Sequence, residues 1–197
     1  MDANKTVRNT LESTIQTTGQ PSALVLRGLH HVAYRCADAI KTTEFYTNVL
    51  GLKYAHCVKT DTYKGQHCPY IHVFFKMADG SYIAFFELPE LPEMGWDPNT
   101  PRWVQHLSLR VDDEAALEEA KRRLEARGIE VDGPRTGYTV RALYFYDPSG
   151  NRLELAVALK LDEEACEKRA INDLQSWKTE RAAYLSQLTG GAEKVEV

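Results

Sequence analysis

The sequence is poor in cysteine and has no long apolar run, and both absences limit what it can be. Its four cysteines, Cys36, Cys57, Cys68 and Cys166, include no Cys-x-x-Cys spacing. They fall outside the usual zinc-ribbon arrangements, so we expect reduced thiols. No stretch approaches the roughly twenty apolar residues that a membrane span needs, and no signal-peptide run precedes the first module. We therefore expect a cytoplasmic protein with no membrane partner.

The sequence also lacks an excess of basic residues. There are 24 Lys and Arg against 28 Asp and Glu, which gives a formal net charge of -4. Neither half carries a basic stripe, so the charge gives no reason to expect nucleic acid as a partner. A chain of 197 residues with 43% hydrophobic residues is long and apolar enough to bury a sizeable core. A small-molecule substrate is the expectation that remains.

The chain contains one pattern twice. His106 follows His31 by 75 positions, and each histidine opens a strand pattern that an aspartate and a helical stretch follow. Each copy ends in a strand pattern with one glutamate, Glu87 in the first copy and Glu154 in the second. Two histidines and two carboxylates at matched places in a duplicated unit predict one shared metal site.

The hydrophobic periodicity predicts an α+β fold of two tandem modules, each reading strand, helix, strand, strand, strand, with an extra C-terminal helix. That helix carries an apolar stripe that includes Trp177, which we expect to pack on the modules or on a second subunit. A homodimer is the expected assembly. The predicted segments are a flexible N-terminal arm 1–22, a first module 23–88, a proline-rich linker 89–101, a second module 102–160 and the helix 161–190.

Alternation along the strands sorts the proposed ligands by face. His31, His106 and Glu154 fall on the smaller or more polar faces of their strands, whereas Glu87 shares its face with Phe85. A carboxylate among large apolar side chains pays a heavy desolvation cost unless it is paired or bound to a metal. This placement favours a functional role for Glu87.

The chain resembles the vicinal oxygen chelate superfamily, which includes glyoxalase I, fosfomycin-resistance transferases, bleomycin-resistance proteins and extradiol dioxygenases. The segments that carry the resemblance are 29–38, 45–52, 105–111 and 146–155. The resemblance implies two βαβββ modules forming a curled mixed sheet around a central divalent metal ion, with ligands on the first and last strand of each module.

Carried over by position, the resemblance implies the metal ligands His31, Glu87, His106 and Glu154. Glyoxalase I of the nickel or cobalt type is similar in using four such ligands, whereas extradiol dioxygenases use three, which correspond to His31, His106 and Glu154. We expect one divalent ion per site, drawn from Fe, Ni, Co, Mn or Zn. Four ligands on a six-coordinate ion leave two adjacent positions for a bidentate substrate.

The four-ligand set favours an isomerase or lyase that stabilises a metal-bound enediolate of a small vicinally oxygenated substrate, with Glu87 or Glu154 moving a proton. The first alternative is an extradiol dioxygenase that cleaves a catechol with Fe(II) and O2. Tyr144 supports it, because the resemblance places Tyr144 where those enzymes hydrogen-bond the catechol. Those enzymes also use an acid–base histidine from the last strand of the first module. The corresponding positions here are near Ser81 and Tyr82, which argues against this alternative. The second alternative is a metal-free binding protein of the bleomycin-resistance type.

Three more residues are candidates for substrate binding. Arg141 is expected to bind an anionic group of the substrate, and Phe85 to line the pocket. His72 is a candidate to replace the missing acid–base histidine from a neighbouring strand, although the sequence does not give its direction. The sequence also leaves open whether the metal site lies within one chain or is shared across a dimer.

Overall fold

The structure, a computed structural model, describes residues 25–95 and 97–190. The chain divides into two compact units, one of residues 27–159 and one formed by 1–26 with 160–197. The expected N-terminal arm, 1–22, lies outside the described residues.

The larger unit contains two modules with the same order of elements. The first consists of β1 (His31–Arg35), α1 (Ala39–Glu44) with a π-helical turn (Phe45–Val49), β2 (Lys53–Tyr63), β3 (Gln66–Lys76) and β4 (Tyr82–Glu87). The second consists of β5 (Leu107–Arg110), α2 (Glu114–Glu125), β6 (Asp132–Thr136), β7 (Val140–Tyr146) and β8 (Arg152–Ala158). The predicted α+β fold of tandem βαβββ modules is confirmed.

Each module forms its own four-stranded mixed sheet, in the orders β1-β4-β3-β2 and β5-β8-β7-β6. The first and last strands of each module are parallel neighbours, and the other pairs are antiparallel. The register places His31 beside Tyr82 in the first sheet and Ser108 beside Glu154 in the second. The expected ligand strands are therefore adjacent within each module.

Local signals in the sequence start the helices where the pattern predicted. The Asp38 carboxylate accepts hydrogen bonds from the backbone N–H groups of Ile40 and Lys41, and Asp113 caps α2 through the N–H of Ala116. Such caps stabilise a helix by about 1 kcal/mol each. They fix the point at which the chain turns from the first strand into the helix of each module.

The inner faces of both sheets and their helices share one hydrophobic core. The buried residues of this core include Phe45, Tyr46, Val73, Phe75, Ile83, Phe85, Leu117, Leu124, Leu143, Phe145, Leu153 and Leu155. The modules meet directly, since the rings of Phe45 and Phe145 lie 6.3 Å apart. Because the inner faces pack into this core, the opposite faces of both sheets are turned away from it.

The hairpin of β2 and β3 is longer than its pattern predicted. The apolar pattern predicts strands at 53–59 and 70–76. In the structure they extend to Tyr63 and back to Gln66, and Lys64 and Gly65 form the turn with positive φ angles. The polar residues of this extension gave no apolar alternation, whereas the backbone pairing of the two strands holds it in place. In the second module β5 begins at Leu107 rather than near Trp103, and β6 at Asp132 rather than near Ile129.

The C-terminal helix α3 (Glu163–Gly190) belongs to the smaller unit. Asp162 precedes it and accepts a hydrogen bond from the N–H of Ala165, as the predicted start requires. Its apolar side chains include Leu174 and Trp177, each 49% exposed. Within the described residues no helix is long and apolar enough to cross a bilayer.

Candidate functional site

The side chains of His106, Glu154 and Tyr144 form a compact cluster on the outer face of the second sheet, which we call the His106 half-site. Nε2 of His106 lies 3.0 Å from Oε2 of Glu154. The hydroxyl of Tyr144 donates a hydrogen bond of 3.0 Å to Oε1 of the same carboxylate. Both carboxylate oxygens are therefore engaged, one by a neighbour on β7 and one by a residue just before β5.

Burial explains why this carboxylate needs those contacts. Glu154 is only 4% exposed, and a buried carboxylate without hydrogen-bond partners is costly. Burial and the hydrogen bond to Glu154 raise the pKa of Tyr144 above its ordinary value. Tyr144 therefore keeps its proton, and it can donate a hydrogen bond at neutral pH.

The outer face of the first sheet carries two predicted residues, His31 and His72, beside the rings of Phe74 and Phe86, and we call these four residues the His31 half-site. The rings of His31 and His72 lie 6.4 Å apart, and His31 lies 5.8 Å from the ring of Phe74. His72 stacks on Phe86 with 3.5 Å between ring centroids. This face offers imidazole nitrogens among aromatic rings.

His72 lies on the same face as His31, which settles the direction that the sequence left open. Its Nε2 is buried and has no hydrogen-bond partner among the described residues. Burial, together with the nearby imidazoles of His31 and His56, lowers its pKa to about 4. His72 is therefore neutral at pH 7 and has a ring nitrogen available to a ligand.

Glu87 is not brought to His31. It lies five positions after Tyr82, the register neighbour of His31, so its side chain is on the opposite, core-facing side of β4. There Oε2 of Glu87 accepts a hydrogen bond of 2.7 Å from the backbone N–H of Ala39 at the start of α1. Ala84 occupies the β4 position that corresponds to Glu154 in β8. The first module therefore presents one predicted ligand on its outer face instead of two.

Two of the expected substrate-binding residues also point away from the half-sites. Phe85 is fully buried in the core, 4.8 Å from the ring of Tyr46, so the expectation that it lines the pocket is wrong. Nε of Arg141 donates to Oε2 of Glu114 at 2.8 Å, on the face of β7 opposite Tyr144. Arg141 therefore closes an ion pair at the start of α2, and the expected role in holding a substrate anion is not supported.

The two half-sites of one chain do not meet. The described residues contain no group of three or more His, Cys, Asp or Glu side chains that could hold a metal ion. The reason is topological, because the half-sites lie on the outer faces of two sheets whose inner faces share one core. The donors are still suitable for a metal, since two imidazoles and one carboxylate form a set typical of Fe(II), Mn, Co and Ni sites.

Arg152 is a member of the second sheet's outer face that our assignment of roles missed. Its guanidinium lies 4.2 Å from the centre of the Tyr144 ring, and Nη1 donates a hydrogen bond of 2.8 Å to the carbonyl of Trp103. The strand parity that groups Arg152 with Glu154 was the available signal. From the sequence alone the anion-binding role is expected for Arg141, and no role is named for Arg152.

Two hollows adjoin the His106 half-site. One of ≈ 120 Å³ is lined by His106, Arg152 and neighbouring residues, and one of ≈ 290 Å³ is lined by Tyr144, Arg152, Trp103 and others. A further apolar cavity of ≈ 390 Å³ lies between α2 and the first module, and no proposed metal ligand lines it. His106 lines the smaller hollow, Tyr144 lines the larger one and Arg152 lines both, so these are the spaces beside the His106 half-site that are open to a substrate.

Comparison with known proteins identifies the family of this chain. The family model described as the glyoxalase/bleomycin resistance protein/dioxygenase superfamily matches residues 28–155. The uncharacterized protein YwkD of Bacillus subtilis is 31% identical over 135 residues, which cover 67% of this chain and 98% of that protein. The putative ring-cleaving dioxygenase MhqA of the same organism is 33% identical over 144 residues, which cover 71% of this chain but 42% of that protein.

A solved structure gives the same answer for the fold. A glyoxylase/bleomycin resistance protein/dioxygenase domain from a Frankia species aligns with a TM-score of 0.58 at 21% identity, covering 68% of this chain and 100% of that one. The two sheets and the family match agree with one another. The chain belongs to the glyoxalase/bleomycin resistance protein/dioxygenase superfamily.

Proposed function

We propose that the protein is a metal-dependent extradiol dioxygenase that cleaves the ring of a catechol-like substrate, and that it works as a homodimer with shared sites. The observation that carries this proposal is the face on which each residue lies. His72 is beside His31 on the outer face of the first sheet, whereas Glu87 is on the core side. The expected preference for an isomerase or lyase rested on Glu87 as a fourth ligand.

A second copy of the chain is what completes the site in this proposal. Each chain has two half-sites on outward faces, and each half-site lacks the ligands of the other. A two-fold dimer can place the His31 face of one protomer against the His106 face of its partner, and symmetry then forms two such sites. His31 would thereby join His106 of the partner subunit and Glu154 of the partner subunit.

The number of ligands decides between the reaction classes. Two histidines and one carboxylate would hold a divalent ion with fewer protein ligands than the four-residue set, which would leave room for a catechol together with O2. A divalent ion held there would supply Lewis acidity toward the two substrate oxygens and a position for dioxygen. In the net reaction one C–C bond of the ring breaks and both atoms of O2 enter the product, so no external reductant is needed.

The chain's own side chains have separate roles in this proposal. His72 is neutral and its Nε2 is unpaired, so it can take the proton of a substrate hydroxyl and return it later. Tyr144 keeps its proton and can orient a substrate oxygen while it holds Glu154. Phe74 and Phe86 provide an apolar surface that packs on an aromatic ring and excludes water.

Similarity to a described protein supports the same reaction. The relative at 33% identity is described as a putative ring-cleaving dioxygenase, and the matched region includes 71% of this chain. The match spans 42% of that relative, so the comparison alone does not assign the activity of the relative to this chain.

The test is oxygen uptake by protein loaded anaerobically with Fe(II) and mixed with a panel of catechols. We expect catechol-dependent uptake and a yellow ring-fission product, both lost in Glu154→Ala and retained in Glu87→Ala. His67→Ala is the matched control for His106→Ala, because His67 is exposed and paired only with Glu90. Loss of uptake in Glu87→Ala, or turnover of a hemithioacetal with Ni(II) or Co(II) but of no catechol, would restore the isomerase or lyase assignment.

A further inference from the structure

Arg152 holds a fixed position beside the proposed ligands. Its guanidinium lies over the ring of Tyr144, whose hydroxyl binds Glu154, and one of its N–H groups binds the carbonyl of Trp103. A guanidinium has five N–H donors in one plane, so this contact leaves donors for another acceptor. Stacking and the hydrogen bond hold the group still, which lowers the entropy lost when it binds a ligand.

The hollow beside Arg152 contains charged groups of both signs. A second guanidinium, that of Arg102, lies 4.7 Å from the centre of the Tyr146 ring, two positions along the same face of β7. Two carboxylates, Glu130 and Asp132, line the same hollow of ≈ 290 Å³. Asp132 is paired with Arg135 at 2.5 Å. The carboxylate of Glu154 is bound by His106 and Tyr144 and does not neutralise Arg152.

We infer that Arg152 forms an anion-binding subsite of the active site, and that the preferred substrate is a catechol-like ring bearing a carboxylate. The inference rests on the proposed function for the ring and goes beyond it in naming the substituent. A carboxylate can form two parallel hydrogen bonds with a guanidinium, which gives direction as well as affinity. The hollow suits a small aromatic acid, being just below the usual size range of sites for drug-sized ligands.

The experiment measures binding rather than turnover. Protein loaded with redox-inert Zn(II) is titrated under nitrogen with catechol, with 3,4-dihydroxybenzoate and with benzoate, and heats of binding give the Kd values. We expect the carboxylated catechol to bind about 10- to 100-fold more tightly than catechol, the range of a charge-assisted hydrogen bond. Arg152→Gln should remove that difference and leave the Kd of catechol within about threefold.

Two further variants separate an anion site from a structural role. Arg152→Lys keeps the charge but not the planar fork, so it should retain part of the preference. Arg141→Gln is the matched control and should change nothing, because Arg141 is paired with Glu114 on the opposite face. If Arg152→Gln raises the Kd values of catechol and of the carboxylated catechol by the same factor, Arg152 only supports Tyr144. That result would overturn the inference.

The wild-type protein alone also tests the inference. Equal Kd values for catechol and 3,4-dihydroxybenzoate would overturn it whatever the variants do. If neither catechol binds, the proposed function fails, but binding of benzoate that Arg152→Gln abolishes would leave the anion subsite standing. If benzoate does not bind either, both are overturned.

Discussion

Tyr46 and Asp147 belong to different modules, and the hydroxyl of Tyr46 donates a hydrogen bond of 3.2 Å to Oδ2 of Asp147 inside the shared core. Asp147 also accepts the N–H groups of Ser149 and Asn151, so it holds the turn before β8 that positions Glu154. Burial raises the pKa of Asp147 and of Tyr46. One polar contact thus ties the first helix to the ligand strand of the other module.

Tyr46→Phe removes this contact and leaves Oδ2 of Asp147 with the side-chain amide of Asn151 as its remaining donor in the described part of the chain. We expect the free energy of unfolding to fall by about 1–2 kcal/mol, as for a lost hydrogen bond in a buried site. Urea denaturation measures it. Tyr63→Phe is the control, since Tyr63 is 56% exposed, and it should change stability by less than about 0.5 kcal/mol. Equal effects of the two changes would show that the contact between the modules contributes nothing.

The sequence predicted the modules because the repeat, the caps and the turns are local signals. Asp38 and Asp113 each stand where the helix needs an acceptor, and the structure uses both. The length of the β2–β3 hairpin was not predictable in the same way. Its outer half is held by backbone pairing between two polar segments, and no apolar alternation marks it.

Strand register explains why Glu87 lies on the core side of β4 and Glu154 on the outer face of β8. In both modules the sequence has a histidine on the first strand and a glutamate on the last. This order along the chain does not determine the register, that is, how far one strand is shifted along its neighbour. A shift by an odd number of residues moves a side chain to the other face. Glu154 is separated from the register neighbour of His106 by an even number of positions, and Glu87 from Tyr82 by an odd number. The same parity places Arg152 on the face of Glu154, two positions before it.

The lowered pKa of His72 predicts a pH dependence of stability in the metal-free protein. In the unfolded chain a histidine has its ordinary pKa of 6.5, and in the folded protein the pKa of His72 is about 4. The folded state therefore binds fewer protons between these values, so the contribution of His72 is complete above pH 6.5 and is lost as pH falls toward 4. Because the ring of His72 is partly exposed, solvent screening limits the size of this contribution to stability.

The measurement compares wild type with His72→Phe by urea denaturation at pH 7.5 and at pH 5. Phe cannot be protonated and can stack on Phe86 in the same place. We expect wild type to lose more stability than the variant over this range. His67→Phe, at an exposed position, should lose as much as wild type. A variant whose stability falls in parallel with wild type would show that His72 titrates normally in the folded state.

The exposed apolar side chains of α3 predict that this helix takes part in the homodimer. Leu174 and Trp177 are each 49% exposed and Leu188 is 74% exposed, more apolar surface than a lone helix in water ordinarily presents. Truncation after Leu161 should lower the melting temperature and shift the mass in solution toward the monomer. A double Leu174→Ser, Trp177→Ser variant keeps the full length and should do the same. If light scattering and melting are unchanged in both, α3 is dispensable for assembly.

The shared site can be tested by mixing two inactive variants. In a dimer of His31→Ala with His106→Ala, one site loses both histidines and the other keeps both, because His31 and His106 of one site come from different protomers. Random exchange makes half of all dimers mixed, so we expect about a quarter of the wild-type metal content per site and of the activity.

The control mixes the single variant His31→Ala with the double variant His31→Ala, Glu87→Ala. It restores nothing, since every site lacks His31. A site built within one chain would stay broken in every mixture, and failure of the first mixture to recover metal, with subunit exchange verified by mass spectrometry, would exclude the shared arrangement.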